Sequence, residues 1–231
     1  MRIVIFGASG GTGRLLTRQA LDSGHDVVAV TRNATTFPVT GTRFRIATAD
    51  VLNRHETARA IKGADAVLST LGAPFSRKPI NLYSDGIASI TEGMAKYGVK
   101  RLVAVSSSAA EPATHADGGF LLNRVLQPII THTIGRTTYA DMRRMEAHLG
   151  ETSLDWTVLR PGGLFDAPAP SDYELTENRS ERIFTSRADL AAALLEQAGS
   201  RDWIGSFVAV NTTVGAPTVL QMIRREAFGS H

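Results

Sequence analysis

The chain has 231 residues, 43% hydrophobic and 20% charged, enough apolar content for one large domain or one domain with a small appendage. Its 25 basic and 22 acidic residues leave a formal net charge of +3, and the basic residues are scattered; this argues against nucleic acid and suits a phosphate-bearing small molecule. With no cysteine, disulfides, thiolate metal sites and cysteine nucleophiles are excluded, no metal site is expected, and a reducing cytoplasm is compatible. No apolar run approaches the roughly 18 residues of a membrane span, and because the chain enters its first strand at once no signal peptide is expected.

The first twenty residues carry the strongest signal. An apolar run, Ile3 to Phe6 within a strand over Arg2–Phe6, meets Gly7, Gly10 and Gly13 in GxxGxxG spacing, and an amphipathic helix pattern over Gly11–Ser23 follows. A buried strand that turns sharply into a helix leaves the helix's free N–H groups and positive dipole end facing outward, an arrangement that holds a pyrophosphate. Gly7 permits the turn, Gly10 admits the phosphate to the backbone, and Gly13 lets helix and strand pack closely. Ser9, Gly11 and Thr12 complete the expected cradle; the bland alternative is a tight turn with no ligand.

The second strand, Asp26–Val30, runs into Thr31-Arg32-Asn33 with no acid at its tip. An acid there would accept from the adenosine ribose 2′-OH and favour NAD. Arg32 instead matches a 2′-phosphate, so NADP(H) is expected over NAD(H), with Arg14 as a second candidate cation. Both have a plain alternative as solvated surface arginines. The strand over Arg43–Thr48 leads to Asp50 and Val51. Asp50 either accepts from the adenine amino group or caps the helix over Arg54–Ile61. After the strand over Ala66–Thr70, Leu71, Gly72 and Ala73 are expected to pass under the ribose and diphosphate.

A helix over Leu82–Tyr97 stops at Gly98, and a strand over Leu102–Ser106 ends in three serines, Ser106, Ser107 and Ser108. The irregular region Ala109–Arg136, with an apolar stretch at Phe120–Ile130, is either a lid helix or a helix capping the sheet edge. A helix over Thr138–Leu149 and a strand over Thr157–Arg160 follow. Residues 165–185 read as a loop, with a short hairpin around Tyr173–Thr176 and Arg182–Thr185, inserted on the substrate side. Ser186 and Asp189 make a capping box before Leu190–Gln197. Strands alternating with helices imply an α/β, Rossmann-type, doubly wound and mainly parallel sheet, with residues 1–231 as one nucleotide-binding domain and a small C-terminal extension.

These residues resemble a known family. GASGGTG at Gly7–Gly13, Arg32, the Gly63–Val67 segment, Gly98–Val103 leading to Ser106–Ser108, Leu154–Gly163 and Ser186–Ala191 are similar to the atypical short-chain dehydrogenase/reductase superfamily. Within it the chain resembles the NmrA-like NAD(P)H-binding branch and biliverdin-IXβ/flavin reductase-type proteins. The resemblance implies that Pro161, Gly162, Gly163 and Leu164 lie against the nicotinamide. It also implies that a serine at the tip of strand five faces the nicotinamide, in a register open between Ser107 and Ser108; a serine cluster there is otherwise a turn-former.

Members of the superfamily pair a Tyr with a Lys four residues on. Here one frame places Thr138 and Met142 at those positions, and the frame one residue later places Tyr139 and Arg143. In that pair the Tyr donates a proton, and the Lys lowers its pKa and holds the ribose; methionine does none of this, and an arginine stays charged with a different geometry, so Tyr139 is a candidate catalytic residue only in the second frame. Without the pair, hydride transfer suits acceptors that draw their proton from solvent: flavins, quinones and linear tetrapyrroles. The expectation is an NADPH-dependent reductase of a small aromatic acceptor, a monomer or homodimer acting away from membranes. The alternatives are a non-catalytic NADP(H)-binding sensor and, more weakly, a sugar-nucleotide or isoprenoid dehydrogenase using Tyr139. Phe75, Phe120 and Phe165 are candidates for lining the acceptor pocket or for ordinary packing, and His132 for a proton donor or a structural histidine.

Overall fold

Strand β1 (Arg2–Phe6) sets the architecture because both of its faces are apolar. Side chains alternate across a strand. Val4 and Phe6 accordingly enter one core cluster, and Ile3 and Ile5 enter another on the opposite face. The computed structural model describes residues 1–33, 37, 41–76, 78–111, 135–178, 180 and 182–217. In chain order the further elements are α1 (Gly11–Asp22), β2 (Asp26–Thr31), β3 (Phe44–Thr48), α2 (Arg54–Ile61), β4 (Ala66–Ser69), α3 (Leu82–Tyr97) and β5 (Arg101–Val105). They continue with α4 (Arg136–Gly150), β6 (Asp155–Pro161), β7 (Gly163–Phe165), β8 (Tyr173–Glu177), β9 (Phe184–Ser186), α5 (Arg187–Gly199) and β10 (Ser206–Thr212).

Eight strands form one sheet in the order β3-β2-β1-β4-β5-β6-β10-β8, parallel except for β8, which pairs antiparallel with β10. This is the Rossmann-type α/β fold expected from the alternating pattern. One face carries Leu16 and Ala20 of α1 with Leu190, Ala191 and Leu194 of α5. The other carries Ile61 of α2, Ile87, Ile90 and Met94 of α3, and Met145 and Leu149 of α4. Helix signals act locally as read: Gly98 ends α3 in the left-handed conformation at φ +69°, and the Ser186 side chain accepts from the Asp189 N–H to start α5.

Three expectations need correction. The hairpin between 173–176 and 182–185 does not form. Instead β8 joins the edge of the main sheet against β10, and β9 pairs in parallel with β7 in a separate two-stranded sheet. Strand β10 was not among the expected strands, although Val208, Ala209 and Val210 are buried and it separates β6 from β8. The cap of α2 is Asn53, whose side chain accepts from the His55 and Glu56 N–H groups; Asp50 does not serve there. The lid-or-edge question, Phe120 and His132 fall in 112–134, outside the described residues.

Candidate functional site

The strand order changes direction between β1 and β4, and the crevice outside their C-terminal ends is where doubly wound sheets bind ligands. A cavity of about 1030 Å³ opens there. The turn from β1 into α1 forms one wall. Gly7 has φ +75°, and a Cβ on it would lie 2.5 Å from the Thr70 carbonyl oxygen; a Cβ on Gly13 would lie 2.3 Å from the Gly7 oxygen. Both glycines are therefore required by the chain's own packing. Gly10 differs. Its φ is −70°, and a Cβ there would meet only the Gly7 oxygen, at 3.4 Å. The fold alone does not require glycine at this position, whereas a backbone that must admit a phosphate does. The first turn of α1 carries no acidic side chain to satisfy its N–H groups.

Ser9, Gly10, Gly11, Thr12 and Gly13 line the cavity, with Arg32 at the end of β2, Asp50 and Val51 after β3, and Leu71, Gly72 and Ala73 after β4. The Asp50 carboxylate accepts from the Leu52 N–H at 3.0 Å, and Leu52, exposed, joins the wall. Two expected contacts are not in the wall. Arg14 is exposed, and its Nε donates to the Ser9 carbonyl oxygen at 2.8 Å. Pro161 is buried within β6, paired with Val210; the wall begins at Gly162 and continues through Gly163 and Leu164.

The far end of the cavity is hydroxyl-rich. Ser106, Ser107 and Ser108 all line it, and they face Thr138, Tyr139 and Met142 from α4. The Ser106 and Thr138 hydroxyls are buried without a hydrogen-bond partner among the described residues. Such groups cost free energy unless a ligand's polar atoms or water satisfy them. Ser107 is distinguished from Ser108: its hydroxyl accepts from the Ala109 N–H at 3.2 Å and is near enough to the Tyr139 phenol to lower its pKa. The Tyr139 phenol is pushed above its ordinary pKa, first by burial and then by nearby Tyr83, with the Ser107 hydroxyl pulling the other way. The frame with Thr138 and Met142 lines the cavity in full, whereas of the frame with Tyr139 and Arg143 only Tyr139 does. Arg143 is exposed, and its Nη1 donates to the Ala110 carbonyl oxygen at 3.0 Å. Phe75, 55% exposed, stands edge-on to Tyr139 with ring centroids 6.1 Å apart, whereas Phe165 is buried packing.

A family model described as NAD(P)H-binding matches residues 7–201. The chain belongs to this NAD(P)H-binding family. It is 29% identical over 209 residues to UPF0659 protein YMR090W of Saccharomyces cerevisiae, covering 85% of this chain and 86% of that one. Over 107 residues it is 35% identical to uncharacterized protein Rv2047c of Mycobacterium tuberculosis, 46% of this chain but 12% of that much longer protein. Among solved structures, a short-chain dehydrogenase/reductase from Veillonella parvula in complex with NADP superposes with TM-score 0.75 at 19% identity, covering 92% and 95% of the two chains. ChuY, an anaerobillin reductase from Escherichia coli O157:H7, superposes with TM-score 0.73 at 23% identity, covering 94% and 100%. At these identities the superpositions speak for the fold.

For a member of the NAD(P)H-binding family, the open first turn of α1 and the unhindered Gly10 fit a dinucleotide. Sequence reading missed several members of the wall: Leu52, Tyr83, Ile183, Phe184 and Arg187. Arg187 had a signal, since a cation in the first turn of a helix opposes the helix dipole. Ile183 and Phe184 had none, because their place depends on β9 pairing with β7.

Proposed function

We propose that the protein is an NADPH-dependent reductase that passes hydride to a flavin-, quinone- or tetrapyrrole-like acceptor without a Tyr–Lys pair. One observation carries this reading: Tyr139 and Met142 face the cavity while Arg143 is exposed and bonded to the Ala110 carbonyl. The buried phenol therefore has no adjacent lysine to lower its pKa, and burial raises it. Carbonyl reduction needs such a donor; an acceptor that takes its proton from solvent does not.

The N–H groups of Gly11, Thr12 and Gly13 would hold the pyrophosphate, Arg32 the 2′-phosphate, and Asp50 with Leu52 the adenine. Gly162, Gly163 and Leu164, with Ser106 and Ser107, would position the nicotinamide end. When bound, the reduced nicotinamide supplies the hydride. The chain's residues orient the partners and exclude water, with Phe75, Tyr139, Leu164 and Phe184 offering flat or apolar surface to an aromatic acceptor. The activity of ChuY on anaerobillin supports including tetrapyrroles among the acceptors.

The test is NADPH oxidation in the presence of FMN, a quinone or biliverdin, followed by loss of the reduced-nicotinamide absorbance. The expected result is enzyme-dependent turnover of at least one acceptor, with a lower kcat/KM for NADH. Oxidation no faster than without enzyme for all three would sink the proposal. The unactivated Tyr139 also favours a second reading, a non-catalytic NADP(H)-binding sensor. That reading predicts tight NADPH binding that alters affinity for a protein partner, with no acceptor reduced.

A further inference from the structure

We propose that Arg187 is a second phosphate-binding cation of the dinucleotide site, gripping the pyrophosphate while Arg32 takes the 2′-phosphate. The inference rests on NAD(P)H binding and is independent of which acceptor is reduced. Arg187 is the first residue of α5, the helix packed beside α1 on the same face of the sheet. The Gln19 side chain donates to the Ala188 carbonyl oxygen at 3.2 Å and ties the start of α5 to α1. The Arg187 side chain lies over the phosphate loop: its Cδ and Nε stand 3.0 Å from where a Cβ on Gly11 would be.

Among the described residues, little in the fold itself calls for a cation there. The N-terminus of a helix is its positive end, so an arginine in the first turn opposes the dipole. The cap of α5 is already supplied by Ser186, which accepts from the Asp189 N–H at 2.9 Å. The ion pair of Arg187 is with Asp166, at 3.4 Å, and the Asp166 side chain is 89% exposed. A pair that open to water contributes little. The Arg187 side chain itself is only 30% exposed, held against the loop and in the cavity wall. A residue that weakens local structure without return inside the fold is the kind that function retains.

The missing return is an anion. Among the described residues of the cavity wall, the charged side chains are Arg32, Asp50 and Arg187. Two cations match the two phosphate-bearing parts of NADP(H), the 2′-phosphate and the pyrophosphate. Arg187 shares its position with the open N–H groups of α1, where the pyrophosphate is expected. A planar guanidinium bonds two phosphate oxygens at once, which an ammonium does not. Gly11 fits the same account. GxxGxxG spacing does not require it, but a side chain there would press on the arginine stem.

Calorimetry on the 231-residue chain with three ligands separates the roles. ADP-ribose carries the pyrophosphate without a 2′-phosphate, adenosine 2′-monophosphate carries the reverse, and NADP+ carries both. Arg187→Met, which keeps an unbranched stem against Gly11, is expected to weaken NADP+ and ADP-ribose by about tenfold and leave adenosine 2′-monophosphate within about twofold. Arg32→Met is expected to weaken NADP+ and adenosine 2′-monophosphate and spare ADP-ribose. Arg187→Lys keeps stem and charge but loses the fork, so a loss of a few-fold for ADP-ribose is expected, and this variant decides the matter if the methionine variant does not fold. Unchanged ADP-ribose affinity in the Arg187 variants, or equal weakening of all three ligands, would overturn the proposal. Because the readout is binding, failure of the acceptor assay leaves this result standing, and failure here leaves acceptor reduction untouched.

Discussion

Tyr139 presents the cavity with a phenol that its surroundings make a poorer acid. Burial acts first, Tyr83 adds to it, and the nearby Ser107 hydroxyl offsets part. A positioned general acid typically contributes about 10²–10⁴-fold. If the acceptor draws its proton from solvent, Tyr139→Phe is expected to keep kcat with FMN within about tenfold. A loss beyond that range in steady-state turnover, with the cofactor KM unchanged, would restore Tyr139 as the donor and revive the dehydrogenase alternative. The neighbouring Ser106 and Thr138 hydroxyls have no partner among the described residues.

Helix α4 is fixed to the sheet by charge as well as by packing. Arg160, buried in β6, donates from Nε and Nη2 to the Glu146 carboxylate at 3.0 and 2.8 Å, and from Nη1 to Glu111 at 2.6 Å. Its guanidinium carbon stands 4.2 Å over the Phe207 ring of β10. Burial opposes the charge, but Glu146 and then Glu111 outweigh it and hold the Arg160 pKa above the ordinary value. Removing one partner of a buried pair strands the other charge. Glu146→Ala is therefore expected to cost about 3–5 kcal/mol in urea unfolding, with the slope unchanged. A loss below about 1 kcal/mol would mean that water or Glu111 compensates. Since α4 carries Thr138, Tyr139 and Met142 to the cavity, this pair also supports the site.

Across the molecule, ionisable side chains shifted by burial set the alkaline limit. The Tyr83, Tyr139 and Tyr173 phenols are each raised, with burial the first cause. For Tyr173, Glu196 adds to the effect through a hydrogen bond and its charge. A phenol raised on folding holds its proton after the unfolded chain has lost it. Its contribution is therefore full below about pH 10 and is lost as pH rises through the folded value. Arg101 runs the other way: burial lowers it to about 10, so the folded chain loses that proton first. Three phenols against one guanidinium predict a Tm that falls above about pH 10, with tyrosinate absorbance of the folded protein lagging that of the denatured chain. Coincident tyrosinate titrations of the two states would contradict this.

Much was legible without coordinates, and for a common reason. The β1–loop–α1 unit, the alternation of strands and helices, the stop at Gly98 and the Ser186 cap all depend on residues within a few positions of one another. Side-chain period, glycine geometry and caps act over that range and determine the fold class and the dinucleotide loop. Tertiary structure alone decided the pairing of β8 with β10 and of β9 with β7, because short, half-polar strands pair with whichever strand the packed chain brings alongside. It also decided that Tyr139 and Met142 share the cavity while Arg143 turns outward, since the rotation of α4 follows from packing against α3 and from the Glu146–Arg160 pair. The approach of Arg187 to Gly11 belongs with these. Two residues near opposite ends of the chain meet because α1 and α5 bury their apolar faces on the same side of one sheet.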